Sequence, residues 1–149
     1  RGYMEKTVKC RVISQGKAQA DGRHIACGEA LISQKPIGFN FSVDVPTGKI
    51  IERGHELEGI SIKDKVLIFP YGKGSTGGSY VVYQVACEGT GPAAIINLNT
   101  EVIIACGAIM GGIPVVDHME EDPYDIIQNG DWVEVDTDTG VVTIKKKEA

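Results

Sequence analysis

Between Phe69 and Tyr80 the chain reads Pro70-Tyr71-Gly72-Lys73-Gly74-Ser75-Thr76-Gly77-Gly78-Ser79, where glycine is interspersed with groups able to bind or react. An apolar run ends there, a glycine-rich segment follows, and a helical pattern opens. That order leaves backbone N–H groups above a helix N-terminus, where the macrodipole favours negative charge. Lys73 adds a full positive charge. The segment therefore suits an anion such as a carboxylate or a phosphate, with Gly72, Lys73, Gly74, Thr76, Gly78 and Ser79 as the candidate binding residues. Ser75 and Ser79 are the candidate reactive groups. A serine hydroxyl is a weak base or nucleophile until its oxyanion is stabilised, which N–H donors, the dipole and Lys73 can do.

The ATP-binding P-loop pattern does not fit, because Lys73 is followed by Gly74 and no glycine precedes Gly72 at the required distance. A second reading of the segment is a tight turn in which Ser75 only satisfies the loop backbone. Spacing does not choose between the two. His24, His55 and His118 each have polar or charged neighbours and are expected at the surface, so no Ser-His-Asp arrangement can be argued. The acidic run Glu120-Glu121-Asp122 reads as a solvated helix start.

The elements that must position the loop follow from periodicity. Val8, Cys10 and Val12 alternate with Lys9 and Arg11, which predicts one strand over Thr7–Ile13. Asp21-Gly22 marks a surface excursion, and a short strand is expected over Glu29–Ser33. Phe39, Phe41 and Val43 alternate, predicting a strand over Phe39–Val45 that ends at Pro46. Val66-Leu67-Ile68-Phe69 is the clearest core strand. A helix over Tyr80–Glu88, capped by Ser79, follows the loop, and Ala93–Leu98 is a second buried strand. Val102–Met110 is apolar all round: a short buried helix, or a strand bent at Gly107. Ile113–Val116 forms a third strand, Asp122-Pro123 opens a helical turn, and Trp132–Val135 with Val141–Ile144 make a hairpin. Lys145-Lys146-Lys147 reads as a solvated edge that discourages strand pairing. The sum is an α/β domain of mixed sheet with a small βαβ unit.

Composition limits the function classes. The chain has 149 residues, 42% hydrophobic and 23% charged, enough for one domain with its own core. Arg1-Gly2-Tyr3 ahead of Met4 is expected to be an appendage, leaving residues 4–149 as a single domain. A net charge of −5 disfavours nucleic acid as a partner. No apolar run is long enough to cross a membrane and no leader pattern is present, so a cytoplasmic protein is expected. Cys10, Cys27, Cys87 and Cys106 lie far apart without metal-site spacing; they are expected to be mostly buried small hydrophobes, and no metal is expected on this chain.

The ordered set of short motifs resembles the small subunit, or swivel domain, of the aconitase X family. It comprises Val12-Ile13-Ser14 with Gly16-Lys17-Ala18, Gly28-Glu29-Ala30-Leu31, Val43-Asp44 with Thr47-Gly48, and Gly72-Lys73-Gly74-Ser75-Thr76 with Gly78-Ser79-Tyr80. Pro92-Ala93-Ala94-Ile95, Gly107-Ala108-Ile109-Met110, Gly112-Ile113-Pro114 and Gly130-Asp131 complete it. The match runs from about Cys10 to Ile144. The resemblance implies a swivelling β/β/α fold, a mixed sheet or flattened barrel. It also implies a separate large catalytic subunit that holds an iron–sulfur cluster, and Ser75 as the proton acceptor supplied by the small chain. The activity implied is a hydro-lyase acting on a small hydroxy acid, inactive without the large subunit. Lys73-Gly74-Ser75-Thr76 and Ala108-Ile109-Met110 are most similar to the branch that dehydrates (R)-5-phosphomevalonate to trans-anhydromevalonate 5-phosphate, in isoprenoid biosynthesis. The branch acting on cis-3-hydroxy-L-proline usually carries cysteine where this chain has Thr76. Two departures are an insertion over Gln19–Cys27 and Phe41-Ser42 in place of a Gly-Gly pair. Alternatives of another class are a non-catalytic assembly subunit docking through Ile103–Met110, or a phosphohistidine-type carrier domain. The carrier needs a loop histidine, and none lies between Gly72 and Tyr83.

Overall fold

The structure is a computed structural model in which residues 3–147 are described. In chain order the elements are β1 (Tyr3–Lys9), β2 (Arg11–Ser14), β3 (Ile25–Ile32), α1 (Phe39–Ser42), β4 (Val66–Phe69), α2 (Gly77–Glu88), β5 (Ala94–Asn97), α3 (Val102–Gly111), β6 (Val115–Asp117), α4 (Pro123–Ile126), β7 (Trp132–Asp136) and β8 (Val141–Lys147). The strands form one eight-stranded sheet in the order β1-β8-β7-β3-β4-β5-β6-β2. β3, β4, β5 and β6 run parallel, whereas β1, β8 and β7 continue the sheet from β3 as an antiparallel wing.

Strand alternation explains why two cores form. In β4, Leu67 and Phe69 face one cluster with Ile37, Phe39, Val82, Val85 and Ile104, the layer covered by helices. Val66 and Ile68 face the opposite cluster with Val133, Val135, Val142 and Ile144, so the antiparallel wing covers that side. All four β4 residues are therefore buried, as expected for a parallel strand with both faces covered. The result is the expected β/β/α layering, a curled mixed sheet. A βαβ crossover beyond the one evident from the sequence is present, because Val102–Gly111 is a helix between parallel β5 and β6.

Several local expectations are corrected. Phe39–Ser42 is a single helical turn, not a strand: Phe39 and Ser42 point inward and Phe41 outward. The strand expected over Thr7–Ile13 is broken at Cys10, whose N–H donates to Gly140 O at 3.0 Å; β1 then pairs with β8, and β2 with β6 at the far end of the sheet. Tyr3, grouped with the appendage, opens β1 opposite Lys147, while Arg1 and Gly2 lie outside the described residues. The lysine run does pair. Lys145 lies 3.4 Å from Glu134 and 3.8 Å from Glu5, and Lys146 lies 2.5 Å from Asp131, so these two charges are met by carboxylates on neighbouring segments.

Asp117 ends β6 with its carboxylate fully buried. Arg11 on β2 donates to it from Nε and from Nη2, each at 2.8 Å, and the Thr100 N–H donates at 2.7 Å. This clamp fastens the edge strand to the parallel wing. Burial alone would raise the Asp117 carboxyl. The Arg11 hydrogen bonds, the Thr100 amide and the Arg11 and His118 charges outweigh it and hold the group below the usual carboxylate range.

Candidate active site

β4 delivers the chain to Pro70 at the C-terminal edge of the parallel strands. Beyond it Gly72 bridges to Ile37, and the Lys73 N–H donates to Ile37 O at 3.1 Å, so the loop is stitched to the segment before α1. Gly74 then takes φ +101, a conformation that suits glycine; a Cβ there would come within 2.9 Å of Asn40 Oδ1. That turn brings Ser75 to the surface, and Asn40 Nδ2 donates to its Oγ at 3.1 Å. The Asn40 Oδ1 atom on the other side of the amide is buried and has no partner among the described residues.

Backbone donors divide sharply along the loop. Gly72 N–H donates to Glu101 Oε1 at 3.0 Å, Gly78 N–H to Ser75 O at 2.9 Å and Ser79 N–H to Thr76 O at 3.1 Å. The amides of Gly74, Ser75, Thr76 and Gly77 make no hydrogen bond within the described residues. Of the backbone donors anticipated for an anion, Gly74 and Thr76 are open, joined by Ser75 and Gly77, while Gly72, Gly78 and Ser79 serve the fold. The Lys73 side chain is directed at Glu52. Its Nζ lies 3.7 Å from Glu52 Oε2, and the Ser42 hydroxyl donates to the other Glu52 oxygen. The Ser42 hydrogen bond and the Lys73 charge hold the Glu52 carboxyl low despite burial, so a carboxylate backs the lysine.

Ser79 does not cap the helix. α2 starts at Gly77, Thr76 is its N-cap without a side-chain bond, and the Ser79 hydroxyl donates to Ile103 O at 2.7 Å. Helices α2 and α3 can cross this closely because glycines line the contact. A Cβ on Gly107 would meet Ser79 O at 2.6 Å and Val82 Cβ at 2.7 Å, and one on Gly78 would meet Ile103 at 3.0 Å. Gly107→Val is accordingly expected to destabilise the fold by about 2–3 kcal/mol. Differential scanning calorimetry should show this as a fall of roughly 5–10 °C in Tm.

No histidine reaches Ser75: Asn40 is its one side-chain partner among the described residues. His55 is buried, against expectation, with Nδ1 accepting the Leu57 N–H at 3.0 Å. His24 pairs with Asp138 at 2.9 Å, and His118 is exposed, 2.7 Å from Asn99 Oδ1. Asp122 caps α4 by accepting the Tyr124 N–H at 2.9 Å, as its position in the acidic run suggests.

A family model described as the aconitase X swivel domain matches residues 7–144. The chain is an aconitase X swivel domain. Over 139 residues it is 50% identical to a protein of Methanosarcina mazei named phosphomevalonate dehydratase small subunit, covering 93% of this chain and 91% of that one. A protein of the same name from Methanothermobacter thermautotrophicus is 50% identical over 135 residues, covering 91% of this chain and 97% of that one. In structure it is similar to the aconitase X of Thermococcus kodakaraensis, solved in its holo-form, with a TM-score of 0.82 and 39% identity. The superposition covers 93% of this chain and 98% of the other.

The swivel domain leaves several large apolar side chains exposed on its helices. Phe41, Tyr80, Val102, Ile109 and Met110 are all exposed, on α1, α2 and α3. α3 is thus not buried all round, as its composition suggested; only Ile104, Gly107, Ala108 and Gly111 are. Cys27, Cys87 and Cys106 are exposed too, contrary to the expectation of buried thiols. Cys10 is half-buried, and burial together with the Asp117 charge pushes its thiol up to about 11. No group of three or more His, Cys, Asp or Glu among the described residues gathers to hold a metal ion, so the described residues do not fit a cluster. A cleft of about 800 Å³ opens on the antiparallel wing between Glu29, Asp131, Trp132 and Lys145, and it contains no loop residue. No helix among the described residues is long and apolar enough to cross a membrane.

Proposed function

We propose that this swivel domain is the small subunit of a hydro-lyase that dehydrates (R)-5-phosphomevalonate to trans-anhydromevalonate 5-phosphate in the cytoplasm, with Ser75 as the proton acceptor. The observation that carries the reading is the exposed Ser75 Oγ set beside the open amides of Gly74–Gly77 at the start of α2. The name borne by relatives at 50% identity supports the choice of substrate. The C–H bond next to the substrate carboxylate breaks and its proton passes to Ser75 Oγ. The electron pair left behind forms the carbon–carbon double bond. The neighbouring C–O bond breaks, the hydroxyl leaves with its bonding pair and takes up a solvent proton to become water, and Ser75 returns its proton to solvent.

An ordinary serine hydroxyl is too weak an acid for this role, so the site must favour its anion. The unpaired N–H donors of the loop and the α2 dipole would supply positive potential where that charge develops. The iron–sulfur cluster, which the described residues do not fit, is assigned to a large subunit that docks over the exposed apolar side chains of the helices. Neither chain then contains a whole site, and neither turns over alone. Co-expression with the large subunit, followed by assays on both candidate hydroxy acids, tests the substrate. Water loss from (R)-5-phosphomevalonate and none from cis-3-hydroxy-L-proline is expected; the reverse pattern would overturn the assignment.

A further inference from the structure

We infer that Asn40 is the positioning residue that directs Ser75 and favours its deprotonated form, a role that rests on the reading of Ser75 as proton acceptor. Asn40 Nδ2 lies 3.1 Å from Ser75 Oγ, while Oδ1 is buried without a partner among the described residues. Turning the amide over would let Oδ1 accept from the serine but would strand Nδ2 instead. Either way one buried polar atom goes unmet, a loss that an apolar side chain of similar size would avoid. Stability therefore gives no reason for an amide at this position, and the reason lies in what it faces.

Two glycines leave room for the amide beside the loop. Gly74 lacks the Cβ that would crowd Oδ1, and Gly77 lies against the Asn40 side chain, whose Cβ and Nδ2 would both stand 3.7 Å from a Cβ there. An N–H directed at Oγ occupies one of its lone pairs and leaves the hydroxyl proton to point away from α1. As charge builds on Oγ the same hydrogen bond strengthens. An amide does not titrate, so it donates at every working pH, which neither a carboxylate nor a histidine in its place would do.

The test uses the complete complex of both subunits carrying Asn40→Ala, Asn40→Leu or Asn40→Asp, with Ser75→Ala alongside. For the alanine and leucine variants kcat is expected to fall about 10²-fold, as when one oxyanion donor is removed, with KM within about threefold of wild type. The rise of kcat on the alkaline side should shift upward by about one pH unit or more. Asn40→Asp sets a carboxylate against Oγ and should lose more at neutral pH. Relative to wild type it should regain turnover as the pH falls and the carboxyl becomes a donor, opposite in direction to the alanine variant. Melting and assembly of the leucine variant should match wild type. Asn40 variants at wild-type turnover beside an inactive Ser75→Ala would overturn the role of Asn40 alone. Loss of turnover with an unshifted pH profile and impaired assembly would reduce Asn40 to a structural part and also overturn it. Full turnover by Ser75→Ala would overturn the reading beneath it.

Discussion

Ser75→Ala, assembled with the large subunit, is expected to lower kcat by roughly 10²–10⁴-fold, the range for removing a positioned proton acceptor. The effect should fall on kcat more than on KM. On the proposed reading the open amides of Gly74–Gly77 are untouched by the change, whereas the group that takes the proton is gone. Assembly should survive, because Ser75 is exposed and its side chain supports no buried contact. A second readout is independent of water loss. The intact complex in deuterated water should exchange the substrate proton next to the carboxylate, and the alanine variant should not. Turnover at the wild-type level would remove Ser75 from the chemistry and assign the domain an assembly role.

Asp117→Ala is expected to be among the most damaging changes to stability. It strands the Thr100 amide and releases both Arg11 hydrogen bonds, so β2 loses its clamp to the parallel wing. Charged hydrogen bonds of this kind contribute about 1.5–3 kcal/mol, and the half-exposed Arg11 returns to water, which limits the loss. Thermal melting should fall by roughly 4–10 °C. Because the folded carboxyl titrates below its unfolded value, its contribution is complete above about pH 4. It fades as the pH drops through the lower folded value. Asp117→Asn keeps an acceptor for Thr100 and should melt between the two, with a shallower loss of stability in acid. Equal acid sensitivity in all three proteins would show that Asp117 does not govern this range.

The loop and its two supports, β4 and α2, were legible because an apolar run, a glycine cluster and a helical pattern follow one another locally. The terminal hairpin was legible for the same reason. Phe39–Ser42 was not, since three alternating apolar residues fit a short strand and one helical turn alike, and only packing against Phe69 decides between them (ring centroids 6.2 Å apart). The break at Cys10 was hidden because alternation continues through it, while the pairing that separates β1 from β2 depends on strands more than 100 residues away. Exposed Cys87 and Cys106 were misjudged for a different reason. Apolar neighbours mark burial only when the whole helix face is covered, and here part of that face is open. Within the candidate site, Ser75 could be singled out from its surroundings in sequence. Asn40 could not, being 35 residues away between two phenylalanines with no local signal of its own. Nor does spacing show which amides the fold itself consumes, so Gly72, Gly78 and Ser79 looked as available as Gly74.

β4 is a wall common to both cores, with Leu67 and Phe69 pressed into one and Val66 and Ile68 into the other. The layer bearing Ser75 and the distant wing cannot flex against each other without opening a void on one side of that wall. A pivot of the layer that carries the serine loop therefore takes the antiparallel wing with it.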